Sequence, residues 1–155
     1  MRTLKICLIM ILAVIFSVPL SAQEIERRAT IVEFSGKVEV ENVMTACIPA
    51  HVGMVLSQGD ILRTKDNSSA KISLDDKEDA AIVDVKENSQ LAISELVRDK
   101  EDQEVTNTLL DLAIGEILVK AKKLRSGKSK FEVRTPTSFI GIRGTEFSVS
   151  VKAVE

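Results

Sequence analysis

Apolar residues recur at every second position over most of this chain. Thr30, Val32 and Phe34 share one phase, followed by Val38 and Val40, by Ala70, Ile72 and Leu74, and by Ala81, Val83 and Val85. Leu91 and Ile93, Ile117 and Val119, Phe131, Val133 and Thr135, and Phe147, Val149 and Val151 continue the series. A period of two is that of half-buried strands, and the runs begin about every ten residues with turn residues between them. The pattern predicts an all-β single domain of about ten short strands, arranged as a sandwich, a roll or a short solenoid-like coil. The stretch from Ser94 to Leu112 is the one place where a helix competes. Its apolar residues Leu96, Val97, Val105, Leu109, Leu110 and Leu112 are irregularly spaced, so it reads as a strand, a charged turn at Arg98 to Gln103, and a second strand.

A short internal repeat accompanies the alternation. Leu56-Ser57-Gln58-Gly59-Asp60-Ile61-Leu62 and Leu112-Ala113-Ile114-Gly115-Glu116-Ile117-Leu118 share L-x-x-G-[DE]-I-L. Each places Gly where a turn asks for positive φ, with an acid beside it and an apolar strand after it. Such turns are common between strands; the sharper reading is a coiled architecture in which equivalent corners stack.

The N-terminus breaks the pattern. Arg2 and Lys5 precede an unbroken apolar run from Ile6 to Phe16, and Pro19-Leu20-Ser21-Ala22 supplies a small residue before Gln23. This is a secretory leader, residues 1–22, whose apolar run is shorter than the ~20 residues that span a bilayer comfortably. Retention as an N-terminal anchor is the alternative; after cleavage no transmembrane span is expected. Losing Arg2 and Lys5 takes 21 basic residues against 23 acidic ones to a net charge of about −4. With more acids than bases and neither Trp nor Tyr, the chain lacks the basic footprint and stacking platforms of a nucleic-acid binder. Maturation leaves Cys47 alone, so no intramolecular disulfide can form, and Cys47 is expected to be a small, buried or half-buried apolar residue.

Candidate chemistry is sparse. His51 is the one histidine, and Cys47-x-x-x-His51 offers two ligands where structural zinc takes four. Gly127-Lys128-Ser129 lacks the glycine that a P-loop places five residues earlier, where Lys122 stands. The acidic stretches Asp75 to Asp79 and Asp99 to Asp102 contain Lys77 and Lys100 and miss the glycine of a calcium loop, so they read as solvated hairpin turns. No catalytic set, metal site or cofactor is expected.

The densest local signal is Thr135-Pro136-Thr137-Ser138-Phe139-Ile140-Gly141-Ile142-Arg143-Gly144-Thr145-Glu146-Phe147. It joins two strand patterns. Pro136 keeps Thr135 extended, and Gly141 and Gly144 allow positive φ or close backbone approach on either side of Arg143. A guanidinium among Phe139, Ile140 and Ile142 is expected to be partly buried and tied to core acceptors, a structural role; a solvent-facing ligand contact is the alternative.

These residues resemble the C-terminal signature of the FecR domain family: T-P-T, then G-x-R-G-T-x-F closing a strand. Val55 to Thr64, centred on Gly59 and Asp60, resembles the L-x-x-G-D-x-[IL]-x-T block of that family, and Gly36 to Val40 its opening G-x-V strand. The resemblance spans Ala29 to Val151, and the domain is expected over residues 29–151. It implies a periplasmic or secreted β domain of the bacterial envelope that works by contact with a protein partner or ligand, in signalling, without enzymatic activity. A cell-wall-associated, glycan-binding module is the alternative, weakened by having Phe as the only aromatic. The namesake regulators carry a cytoplasmic anti-sigma segment before a membrane helix; only five residues precede the apolar run here, so a stand-alone exported domain is expected. Family members commonly continue beyond the strand after G-x-R-G-T, so Phe147, Val149 and Val151 are a candidate edge interface for a partner strand or a second copy. Closure of that edge by the strand Thr30 to Phe34 is the competing expectation.

Overall fold

The computed structural model describes residues 24–42, 45–74, 81–102, 106–121, 126–143 and 145–152. The expected leader, the acidic stretch from Asp75 to Asp79 and Gly144 lie outside them. The described elements are all strands: β1 Glu24–Glu26, β2 Ala29–Ser35, β3 Val38–Asn42, β4 Thr45–Pro49, β5 Val55–Leu56, β6 Ile61–Thr64, β7 Ser69–Leu74, β8 Ala81–Val85, β9 Gln90–Asp99, β10 Thr106–Ala121, β11 Lys130–Arg134, β12 Phe139–Ile142 and β13 Thr145–Val151. The all-β expectation holds, with thirteen strands instead of about ten. The surplus is β1, β4, β5 and β12, which are too short or too exposed to show an alternating apolar face.

The strands form one curled sheet with two faces. One layer, sheet A, runs β4-β3-β6-β9-β10-β11-β12, with β1 also on β9; the other, sheet B, runs β5-β2-β7-β8-β10-β13. Nearly every pairing is antiparallel, the exception being β10 with β11. The layers join through stacked corners: Gly36-Lys37 between β2 and β3, Lys65 to Ser68 between β6 and β7, Lys86 to Ser89 between β8 and β9, and Ala113 to Gly115 within β10. Backbone bonds tie neighbouring corners, from Lys65 N–H to the Lys37 carbonyl (3.1 Å), Asn88 N–H to the Lys65 carbonyl (3.3 Å) and Lys86 N–H to the Glu116 carbonyl (2.9 Å). The structure is therefore a short roll whose corners stack.

Strand β10, 16 residues long, belongs to both layers, its first half pairing with β9 and β11 and its second with β8 and β13. The chain length requires the bend. About nine Cα steps lead from Ala121 to Lys130, spanning at most ~32 Å, yet Lys130 sits beside Asn107. A straight strand from Asn107 to Ala121 would measure about 46 Å. The pairing register slips between Leu112 and Ile114, and Gly115 takes φ +99°, so the strand folds at this point.

The core lies between the layers and includes Ile31, Leu56, Leu62, Ile72, Leu74, Leu91, Leu110, Leu112 and Ile117. On β2 the expected phase is corrected: Ala29 and Ile31 are buried while Val32 is exposed, because the register with β7 slips between Ile31 and Glu33. A bulge shifts a period-two pattern by one residue, which alternation alone does not reveal. Ser94 is the corresponding extra residue on β9, between Ile93, opposite Leu110, and Glu95, opposite Leu109. Cys47 is exposed on β4, not buried. No helix among the described residues is long and apolar enough to cross a membrane.

Candidate functional site

The signature opens as a hairpin turn. Residues 135–138 connect β11 to β12, with Arg134 opposite Phe139. Thr135 closes the turn three times, its N–H donating to the Ser138 carbonyl at 2.9 Å and its Oγ1 accepting the Ser138 N–H at 3.0 Å and donating to the Ser138 carbonyl at 3.2 Å. Pro136 holds Thr135 extended for this purpose and sits where no ladder donor is needed. The unusual connection between the two strand patterns is thus an extra strand, β12, after which the chain crosses from sheet A to sheet B at Arg143.

Arg143 differs from expectation: it is exposed. Ile142 pairs with Phe131 and points into the core, so alternation turns Arg143 outward, and no bond to its side chain occurs among the described residues. Gly141 needs neither positive φ nor close approach, since a methyl built there meets nothing within 4 Å. Gly144 and the Thr145 side chain lie outside the description; the Thr145 backbone pairs with Ala121. Phe147 packs edge-on against Phe131 (centroids 6.4 Å apart, planes at 77°), and Val149 is buried. Phe147, Val149 and Val151 therefore face inward, so the side chains expected at this edge are covered, while the backbone of β13 pairs with β10 alone among the described strands. Glu146, Ser148 and Ser150 face solvent. Strand β2 does not close this edge; it pairs with β5 and β7.

The Gly59-Asp60 block is also structural. Gly59 takes φ +94°, and the Oδ2 of buried Asp60 accepts the Ser57 N–H at 2.8 Å. Gly59 N–H donates to the Ile93 carbonyl (2.7 Å) and Ile93 N–H to the Asp60 carbonyl (3.0 Å), fixing the turn onto β9.

The sequence reading missed two serines that hold the corner stack. Buried Ser68 accepts the Lys37 N–H at 2.9 Å and donates to the Asp66 carbonyl at 2.9 Å. Buried Ser89 accepts the Glu116 N–H at 3.0 Å and donates to the Glu87 carbonyl at 3.1 Å. Each follows an Asn at positive φ, Asn67 (50°) or Asn88 (52°), and each packs on a positive-φ glycine, Gly36 or Gly115. The signal was present as Asp66-Asn67-Ser68 and Glu87-Asn88-Ser89. It is the repeat that builds the roll, whereas in the L-x-x-G-[DE]-I-L pair one copy is a turn and the other a bend within a strand.

Along the corners runs an open groove of about 770 Å³, bordered by Asn67, Asn88, Gly115 and Ser150. It continues, past Ile114, Val151 and Lys152, into a deeper groove of about 420 Å³ between the Thr135 to Ser138 turn, Ile140 and the end of β13. Thr135 and Pro136 thus meet Val149 and Val151 in one place; Gly59, Asp60, Phe147 and Arg143 do not line it. Charges around the roll are paired locally. Lys37 and Lys65 hold the Glu39 carboxyl below the usual range, at 3.2 and 3.5 Å. Asp111 takes the Arg134 guanidinium through two bonds and raises its pKa, with the Phe139 ring 5.8 Å from that cation. No group of three or more His, Cys, Asp or Glu able to hold a metal occurs among the described residues.

A model of the FecR protein family matches residues 60–155. The chain belongs to the FecR family. FecR domains are regulatory and related to signalling, and the match covers the signature turn, β10 and both borders of the deeper groove. It leaves β1 to β5 upstream, although β2 and β3 share the first corner of the FecR roll. No curated protein and no solved structure matches this FecR chain.

Proposed function

We propose that this FecR-family protein is an exported, non-catalytic domain that works by contact with a protein partner in the cell envelope, in a signalling role. The observation that carries the reading is the shape of the site: a long open groove along stacked corners, lined by strand ends, Asn, Ser and aliphatic side chains together with Lys86, Glu87, Glu116 and Lys152. Substrate chemistry would call for convergent titratable groups in an enclosed pocket, whereas extended open grooves suit polypeptide partners. The leader-like pattern of residues 1–22, basic then apolar then small, supports export.

Two measurements test this. N-terminal sequencing of envelope fractions should find a chain beginning at Gln23; a full-length, cytoplasmic product would refute export. A photo-crosslinking residue at Asn88 or Ser150 should trap a single envelope protein in living cells, whereas the same residue at Val32, on the far edge of sheet B, should not. Equal labelling from both faces would refute the contact site.

A further inference from the structure

The two layers of the roll differ by one strand at the signature end. Among the described residues, sheet A carries β11 and β12 beyond β10, while sheet B carries β13 alone. The contact between Phe131 and Phe147 shows that β11 and β13 face each other across the core. Strand β12 therefore has no strand opposite it among the described residues. Its inward Ile140 is only half-buried, although Val133, its neighbour on β11, is fully buried. The vacant layer position is the groove of about 420 Å³ between Ile140, the Thr135 to Ser138 turn and Val149 to Lys152. On its border β13 has one ladder among the described residues, to β10. A strand paired on one side directs about half of its N–H and C=O groups toward the open side.

We infer that this slot receives one extended peptide strand of a partner protein, added to sheet B alongside β13 and covering Ile140. The inference rests on the contact reading above and specifies its mode. A second copy cannot fill the slot by pairing β13 with β13. Between the two β10 strands of such a dimer, sheet B would hold two strands and sheet A four, a mismatch of two strand spacings, about 10 Å, at the ~4.8 Å separation of paired strands. A lone strand brings no second layer and meets no such obstacle.

The slot also specifies the chemistry of its occupant. Inward positions lie over Ile140 beside Val149 and Val151 and take apolar side chains, while outward positions alternate with them. The outward ends of β13 carry Glu146, already 3.2 Å from Lys120, and Lys152. The occupant therefore places a cation opposite Glu146 and an anion opposite Lys152. A peptide copying residues 146–152 meets every condition when laid antiparallel with its register centred on Val149. Its lysine then faces Glu146, its glutamate faces Lys152, and its Phe and Val residues point inward.

The test uses the mature protein, that peptide, and the same peptide N-methylated at alternate residues, followed by hydrogen exchange and binding. Alternate amides of β13 should exchange fast in the free protein and become protected with the peptide, and N-methylation should weaken binding about tenfold or more. Ile140→Glu should abolish binding with the unfolding midpoint measured alongside; binding that survives in a folded variant overturns the inference. Uniformly protected β13 amides in the free protein would overturn it as well, and sedimentation would then tell a second copy from coverage by the chain itself. Equal binding of the methylated peptide, or protection elsewhere, has the same consequence. If the crosslinks at Asn88 or Ser150 trap a partner while the peptide fails, the contact function stands and only this docking mode falls.

Discussion

Replacing Gly115 by Ala is the sharpest probe of the corner stack. At φ +99° any side chain is strained, which costs about 1–3 kcal/mol. In addition, the new methyl would lie 2.5 Å from the Ser89 Cβ and closer still to its Cα and Oγ, so the Lys86 to Ser89 corner must move. Overpacking of this kind adds about 1–3 kcal/mol. Moving Ser89 also loosens its bond with the Glu116 N–H, leaving a donor in the interior of the stack. The expected loss is about 3–5 kcal/mol, a large share of the 5–15 kcal/mol typical of a domain. Two glycines calibrate the result. Gly53 shares the positive φ (+83°) but a methyl there meets nothing within 4 Å, so Gly53→Ala should lose only the strain, about 1–3 kcal/mol. Gly141 has neither constraint, and Gly141→Ala should fall within about 1 kcal/mol of the parent. Urea midpoints with unchanged slopes would give the three values. If Gly115→Ala and Gly53→Ala lose the same amount, the close packing of Gly115 on Ser89 does not support the fold.

Arg143→Ala should change stability by less than about 0.5 kcal/mol, because the side chain is exposed and makes no bond among the described residues; a loss above 2 kcal/mol in the urea midpoint would restore the buried role first expected of it. Asp99 accepts the N–H groups of Asp102 and Glu101, which hold its pKa below the ordinary carboxylate value. A depressed folded-state pKa contributes stability above the unfolded value, about 4, that is lost as pH falls through the folded one. Asp99→Asn should therefore be less stable than the parent at pH 7, with the gap closing toward pH 3; a gap independent of pH would refute the assignment.

How much of this was legible depended on whether a feature repeats locally. Period-two alternation located β3, β7, β8, β11 and β13 because each buries one face, and the irregular spacing from Ser94 to Leu112 resolved into β9, a turn and β10. The phase of β2 was lost to a bulge, since one extra residue leaves composition unchanged while reversing the faces. Arg143 was misread from its apolar neighbours: residues adjacent in a strand point to opposite faces, so Ile142 in the core is the reason Arg143 is not. The Thr135 turn was legible through Pro136, but its partner across the groove, the end of β13, meets it only because β10 bends, and nothing local to either segment announces that. Ser68 and Ser89 escaped notice because each works on a distant glycine, Gly36 or Gly115, and only the repeated Asn-Ser pairs hint at it.

The corner stack also bears on where the domain begins. The family match starts at Asp60, but we propose that the domain begins no later than Ala29, since β2 and β3 supply the first corner and two interior pairings. Beginning the chain at Asp60 would remove Ala29, Ile31, Val38, Val40 and Leu56, all buried. Each buried aliphatic of the size of Val, Leu or Ile contributes about 1.5–3 kcal/mol, so the four larger ones alone approach or exceed the whole stability expected of a domain. The cut would also strip β6 and β7 of their partners on that side, turning Leu62, Ile72 and the Ser68 hydroxyl out to water. A chain of residues 60–155 should accordingly show no cooperative thermal transition and poor amide dispersion, while one beginning at Gln23 unfolds in a single step. Cooperative unfolding of the shorter chain would mean that the first corner is an addition to the FecR roll and not part of its foundation.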